Sequence, residues 1–388
     1  MKVAPRLLTN LCYLAMMCLS IGLNLLPVFL TTLGTTYGGE AGLSQAALGR
    51  LTASPFGGLV LGILAAGPLV DRWGAKLFVQ IGNVLMAVSL LWAAFAPSYV
   101  SLAVALFGMG LGAGMLDMVL SPVVAALNPE RRAVAMNWLH SFYCVGAVVT
   151  IALGTATMQA GFGWRGGCLV MLALPVGLIA CFAPMKFPAL VPEGEGILPV
   201  RSLLREWWFW GAMLAIGLGG ATELGMAQWL PAYAERSLGY APWMGGMSLL
   251  LFSVTLTLGR MVVGAFGKNW DMYRVMAWSC GASIVFFVAG SFLPIPWMAL
   301  SACIAVGFTG SCLWPTMLGV TANRYPRGGA SMYGLLSAAG NVGGVFMPWA
   351  VGVVADRSNM HWGLVISVVP PLLMLPLVLV MRGRRQAR

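Results

Sequence analysis

The stretch Leu61-Gly62-Ile63-Leu64-Ala65-Ala66-Gly67-Pro68-Leu69-Val70-Asp71-Arg72-Trp73-Gly74 returns in looser form 197 positions later. The second copy reads Leu258-Gly259-Arg260-Met261-Val262-Val263-Gly264-Ala265-Phe266-Gly267-Lys268-Asn269-Trp270-Asp271. Each copy closes an apolar run with glycines and then turns through a short charged loop. The offset persists elsewhere: Pro129 maps onto Pro326, Ala133 onto Ala330, and Val145-Gly146 onto Val342-Gly343. Two equivalent halves in one apolar chain are the organisation of many secondary transporters, which place a site between the halves and alternate between two states.

Composition fixes the solvent. Of 388 residues, 60% are hydrophobic and only 9% charged, against about 25% charged in soluble domains. So little polar surface cannot face water all round, and lipid surrounds most of the chain. A bilayer core is crossed by about 20 apolar helical residues. Twelve such runs are read at 8–34, 46–69, 77–95, 99–127, 134–160, 166–184, 207–234, 242–266, 274–293, 296–322, 329–355 and 362–381. Backbone amides in hydrocarbon must be satisfied within their own segment, so the runs are helices. The alternating pattern of a membrane barrel is absent. The first run is too long for the core of a cleavable leader and is expected to be retained.

The net charge of +11 is topological rather than a nucleic-acid footprint. Lys2 and Arg6, Arg72 and Lys76, Arg131 and Arg132, Lys186, Arg201 and Arg205, Lys268 and Arg274, and Arg324 and Arg327 fall at the N-terminus and in alternate loops. The tail adds Arg382, Arg384, Arg385 and Arg388. The opposite loops hold only Arg50, Arg165, Arg236 and Arg357. Basic loops stay cytoplasmic, so both termini are expected inside, in the cytoplasmic (inner) membrane. The eight cysteines all lie in apolar runs without ligand spacing, and only two histidines are present. No disulfide framework, metal site or other cofactor is expected.

The one sizeable interior break, 186–206, contains Pro188, Pro192, Glu193-Gly194-Glu195-Gly196 and Pro199. Such breakers mark a linker between a first six-helix bundle, 1–185, and a second, 207–388. One chain already supplies both halves, so a monomer is expected. Trp207, Trp208 and Trp210 mark the interface where span seven enters the bilayer.

Gly67-Pro68-Leu69-Val70-Asp71-Arg72-Trp73-Gly74-Ala75-Lys76 resembles the signature loop between helices two and three of the major facilitator superfamily, G-x-L-a-D-r-x-G-r-k. Ala75 departs from it, and Lys268 stands where the second copy would carry its acid. The resemblance implies an all-α membrane fold of twelve helices in two pseudo-symmetric bundles. It also assigns Gly67, Asp71, Arg72 and Gly74 to conformational gating. Physically, Asp71 can accept hydrogen bonds from a helix N-terminus or pair with a cytoplasmic arginine. Arg260, about a turn before the end of span eight, is expected to snorkel or pair with a loop acid, and is grouped with the gating residues.

A narrower resemblance is to the fucose permease-like branch of sugar:proton symporters. Span four carries Gly112-x-Gly114-x-x-Asp117-x-x-x-x-Pro122, span five Asn137-x-x-His140-x-x-Tyr143-x-x-Gly146-Ala147, and span seven Gly220-x-x-Glu223 followed by Trp229 and Tyr233. The branch can carry an acid in span one a few residues before a proline. Here that region, Ile21 to Pro27, has none, so proton coupling would rest on Asp117 and Glu223.

Charged groups at mid-bilayer cost about 2.5–3.5 kcal/mol even on insertion scales, which turns Asp117 and Glu223 toward water or makes them titrate. At helical spacing, Gly110, Gly114, Asp117 and Ser121 share a face, as do Asn137, His140, Ser141 and Cys144, and Tyr333, Ser337, Asn341 and Gly344. Asn24-Leu-Leu-Pro27 and Gln228-Trp-Leu-Pro231 form a matched pair in spans one and seven. The amides of Asn24, Asn137, Gln228 and Asn341 offer donors and acceptors. Tyr143, Trp138, Trp229 and Trp314 offer stacking faces and His140 a polar ring. The collected set suits a small sugar-like substrate moved with a proton by alternating access. Antiporters of the superfamily that this chain resembles carry a Gly-Pro step in helix five, and here Ala147 follows Gly146, which tilts the reading from efflux of amphipathic compounds toward uptake. Organic-anion transport would want a central arginine, and only Arg260 is available. A non-transporting receptor has no sensor domain, and no catalytic constellation points to an enzyme.

Overall fold

The computed structural model describes residues 5–39, 43, 45–191 and 196–386. Lys2, Arg388 and residues 192–195 of the linker lie outside the described residues. In chain order the helices are α1 (Pro5–Gly38), α2 (Gln45–Trp73), α3 (Ala75–Ala94), α4 (Tyr99–Leu127), α5 (Arg132–Gln159), α6 (Gly163–Met171) and α7 (Ala173–Phe182). After the linker come α8 (Val200–Leu203), α9 (Trp207–Ala227), α10 (Leu230–Arg236), α11 (Pro242–Phe266), α12 (Met272–Phe292), α13 (Pro296–Gly310) and α14 (Leu313–Arg324). The last three are α15 (Gly329–Arg357), α16 (Met360–Val365) and α17 (Val369–Gln386). No strand occurs among the described residues.

Eleven described helical stretches are long and apolar enough to cross a membrane. The remaining expected span, 207–234, is helical but interrupted. Its opening tryptophans and Glu223 lower its mean hydropathy. Pro231, with no N–H and a ring that crowds the preceding turn, ends one helix and starts the next. The break falls at Gln228 and Trp229, between α9 and α10.

Two compact units contain these helices. The first holds Met1–Leu127, Phe142–Ile197 and Gly329–Gly334; the second holds Asn128–Ser141, Leu198–Gly328 and Leu335–Arg388. The chain passes from one to the other at Ile197 and Leu198, within 186–206. Two helices are divided: the opening of α5 belongs to the second unit and the opening of α15 to the first.

Each unit repeats one packing pattern. In the first, α4 packs on α1, α2 and α3; in the second, α13 packs on α9, α11 and α12. The 197-residue offset maps these sets onto each other. The closest approach in the first unit is α2 on α4, where small residues let backbones meet without a hydrophobic drive to separate protein from lipid. A Cβ at Gly62 would fall on the Leu111 carbonyl, and one at Gly114 on the Leu59 carbonyl.

Replacing Gly114 with Leu is therefore expected to destabilise the protein by about 1–3 kcal/mol or more. A thiol-reactive dye reads the unfolding midpoint, since all the cysteines are free and all but Cys181 are buried. Gly177→Leu is the control: a Cβ there meets nothing within 4 Å, and its midpoint should not move.

Candidate functional site

In the second unit, four helical segments converge on one guanidinium. Pro315 has no N–H, so the Ser311 carbonyl four residues before it has no helical donor. The helix stops at Gly310 and resumes at Leu313. Arg260 of α11 donates from Nε to that Ser311 carbonyl at 3.0 Å. Its Nη1 donates to the His140 carbonyl of α5 at 3.0 Å, and Nη2 to Glu223 Oε2 of α9 at 2.5 Å. The paired side chains are only 5% and 14% exposed. This corrects the expected snorkelling or loop-acid pairing: the acid that Arg260 meets is another intramembrane residue, because two opposite charges inside a span cost least when they neutralise each other.

Polar groups continue around this pair. Asn137 is fully buried; its Nδ2 donates to Thr316 Oγ1 at 2.8 Å and to the Ala133 carbonyl at 2.9 Å. Its Oδ1 is buried with no hydrogen-bond partner. The Trp314 ring lies against Gly220 of α9 and Gly340 of α15, and its buried Nε1 also lacks a partner. Trp138 packs on Gly264 of α11. The structure thus brings the side chains of Glu223 and Arg260 together beside the His140 backbone carbonyl, with Asn137 a turn earlier on α5.

Other expected ligands are committed elsewhere. Trp229 donates from Nε1 to the Pro348 carbonyl at 2.8 Å and packs on a cluster of Ala221, Met347 and Val351. Its indole therefore pins the α9–α10 break to α15. Asn341 donates to the Ser337 carbonyl at 2.9 Å, and Gln228 is exposed at the break. In the first unit, Asn24 Nδ2 donates to the Ser20 carbonyl at 2.9 Å and to Tyr143 Oη at 3.4 Å. Asp117 is 8% exposed on α4, a turn beyond Gly114.

The residues of the signature loop form their own structure, also in the first unit. Asp71, at the end of α2, accepts from the Ala330 N–H at 2.6 Å, the Ser331 N–H at 2.9 Å and the Ser331 hydroxyl. A helix N-terminus presents unsatisfied donors and a partial positive charge. Gly328, the cap residue of α15, has no side chain to meet them, so Asp71 caps that helix from a distance in sequence. Gly329, at φ +62°, leaves room for the carboxylate, since a Cβ there would press on Asp71 Oδ1. Gly67 brings α2 against Ser331, and Gly74, at φ +85°, lets the chain turn into α3. Arg72 takes no part; it lies over the Trp73 ring, 6.0 Å from its centroid. Ser331 is the partner of Asp71 that the sequence does not announce, and the uncapped Gly328-Gly329 start of a long helix is its signal.

In the second copy the acid caps the helix that follows it. Asp271 caps α12, accepting from the Tyr273 and Arg274 N–H groups, and pairs with Arg382 Nε at 2.7 Å. Partial burial pushes its carboxyl up, but the hydrogen bonds and charge of Arg382 and the two backbone donors outweigh this and leave it below the usual range. A lowered acid stabilises the fold above the ordinary aspartate value of about 3.9 and loses that contribution as pH falls through the folded value. The gap in unfolding midpoint between wild type and Asp271→Asn should thus be present at neutral pH and close in acid below about 3.9. Asp71→Ala, removing a cap, is expected to cost about 0.5–2 kcal/mol, whereas Arg72→Ala should leave the midpoint unchanged in the same dye assay.

The family pattern of the Major Facilitator Superfamily matches residues 12–330. Among curated proteins, one named "Probable nitrate/nitrite transporter NarK2" from Mycobacterium tuberculosis is 27% identical over 342 residues, 84% of each chain. The 4-hydroxybenzoate transporter PcaK of Acinetobacter baylyi is 22% identical over 378 residues, covering 84% of this chain and 80% of its own. Among solved structures, the Escherichia coli fucose:proton symporter FucP superimposes with a TM-score of 0.80 over 96% of this chain and 98% of its own, at 17% identity. That likeness carries the fold. Spans, packing pattern and signature loop agree with the family match, and the chain belongs to the major facilitator superfamily of membrane transporters.

Proposed function

We propose that this transporter moves a small polar solute across the cytoplasmic membrane by alternating access, with a proton carried at Glu223. The observation that supports this is the buried Glu223–Arg260 pair. Removing one partner of a buried pair leaves an uncompensated charge and costs about 3–5 kcal/mol, so the pair separates only if something replaces one side. A substrate carboxylate or other small anion at Arg260 is such a replacement, and a proton on Glu223 is the other half. Arg260 supplies the central cation that anion transport requires, and a planar guanidinium suits an oxyanion. NarK2 and PcaK, named for nitrate/nitrite and 4-hydroxybenzoate, are consistent with a small anion.

The sugar reading stands second. The buried Asn137 Oδ1 is an acceptor without a donor, which a substrate hydroxyl would satisfy. Asp117, buried in the first unit, is a second candidate for the proton in either reading.

The driving force separates the two. A neutral sugar with one proton carries net charge, and a 100 mV potential is worth about 2.3 kcal/mol, or roughly fortyfold accumulation. A monoanion with one proton is electroneutral and responds to the pH gradient alone, about tenfold per unit. Proteoliposomes given either gradient and offered labelled nitrate, benzoate, gluconate, fucose or xylose distinguish these outcomes. Glu223→Gln is expected to abolish gradient-driven accumulation while retaining substrate exchange. Undiminished accumulation in that variant would rule out the coupling role.

A further inference from the structure

We infer that the second unit holds a phosphate-binding site, separate from the buried pair, on the face that the basic loops assign to the cytoplasm. A cavity of about 320 Å³ lies where the loop before α5, the loop before α12 and the end of α14 meet. Three cations line it: Arg131, Lys268 and Arg324. None of the three has a carboxylate within 4.0 Å among the described residues.

The acids nearby do not neutralise them. Asp271 lines the cavity, but its carboxylate is occupied by Arg382 and by the backbone of α12. Glu206 accepts from Tyr325 Oη at 2.6 Å. That leaves Glu130 against three cations. Arg324 lies beside two rings, with its guanidinium carbon 4.8 Å from the Trp208 ring centroid and 5.9 Å from that of Tyr325. Its Nε is buried with no hydrogen-bond partner, a donor that an oxyanion would satisfy.

The cavity is too large for a bare ion, at the small end of the range of about 300–1,000 Å³ for ligand pockets. Its volume and cationic lining fit a phosphate monoester or diester. Two sources share that chemistry: the headgroup of an anionic phospholipid, since basic pockets beside cytoplasmic helix ends bind such headgroups, and a soluble phosphorylated metabolite. Exposed Trp270 and Phe266 flank the site and would face the bilayer interface.

The repeat explains the charge. Lys268 stands at the position that holds Asp71 in the first copy. One copy places an anion beside a helix N-terminus; the other has replaced it with a cation that faces a cavity. A phosphate would cross-link two loops and a helix end of the second unit.

The test uses the full chain. Unfolding midpoints are measured in detergent with and without glycerol 3-phosphate, and in nanodiscs of phosphatidylcholine with and without phosphatidylglycerol. Wild type should be stabilised by at least one phosphate probe, and the exposed double variant Arg131→Gln/Lys268→Gln should bind it at least tenfold more weakly. Stabilisation by phosphatidylglycerol alone identifies the lipid source, and by glycerol 3-phosphate alone the soluble one. No shift with either probe, or equal shifts in wild type and double variant, overturns the site. Lys268→Arg, which keeps the charge, should restore binding on the Arg131 background to the level of Arg131→Gln alone; failure to do so also counts against it.

Discussion

A guanidinium inside a lipid-solvated helix must have its charge and its five donors met by protein, and the second unit is arranged around that demand. Arg260 draws on a carbonyl that Pro315 leaves without its helical donor, on a carbonyl of α5 and on the carboxylate of Glu223. The break between α13 and α14 would be a defect elsewhere in the bilayer, where an unsatisfied carbonyl costs several kcal/mol. Here it supplies an acceptor at the one place where a donor needs one. The same demand ties Glu223 to the arginine. The two charges stabilise each other, so any ligand that replaces one of them changes what the other requires.

Much of this was legible in the chain. Sparse charge and repeated apolar runs gave the helical membrane fold, because solvent and backbone satisfaction leave no other solution. The copy at Leu258–Asp271 announced the repeat that reappears as α4 on α2 and α13 on α11. Asp71 was readable as a cap for a helix N-terminus. Its target was not, since Ala330 and Ser331 lie about 260 residues away and only the folded chain chooses among several uncapped starts. The pairing of Arg260 with Glu223 was hidden differently. Each was recognised as a charge in a span, yet position along its own helix suggested a loop partner for the arginine, and helical spacing carries no information about which face meets which neighbour.

The amides show a second limit of reading polarity along a face. Asn24, Asn137 and Asn341 each donate to the carbonyl four residues back, the local bond that short polar side chains make in competition with distant partners. A polar stripe therefore records residues that have each already given one amide donor to their own helix. Trp229 is comparable. Its aromatic face was available for stacking in principle, but Pro231 interrupts the helix beside it and the indole is needed to close the gap against α15.

The two copies of the loop show how one backbone motif can carry opposite electrostatics. In the first, the acid precedes the closing glycine by three residues and reaches the start of α15. In the second, the acid sits where that glycine was and turns back to cap α12. A shift of three residues along the loop thus exchanges a cap on a distant helix for a cap on the next one, with Arg382 as its charged partner. The vacated position is then no longer constrained to be an acceptor, and it carries Lys268. Symmetry of fold consequently does not require symmetry of charge. Because helix packing through glycines fixes the backbone in both units, the loops are free to diverge, and function-specific chemistry can accumulate in one half without disturbing the packing that the halves share.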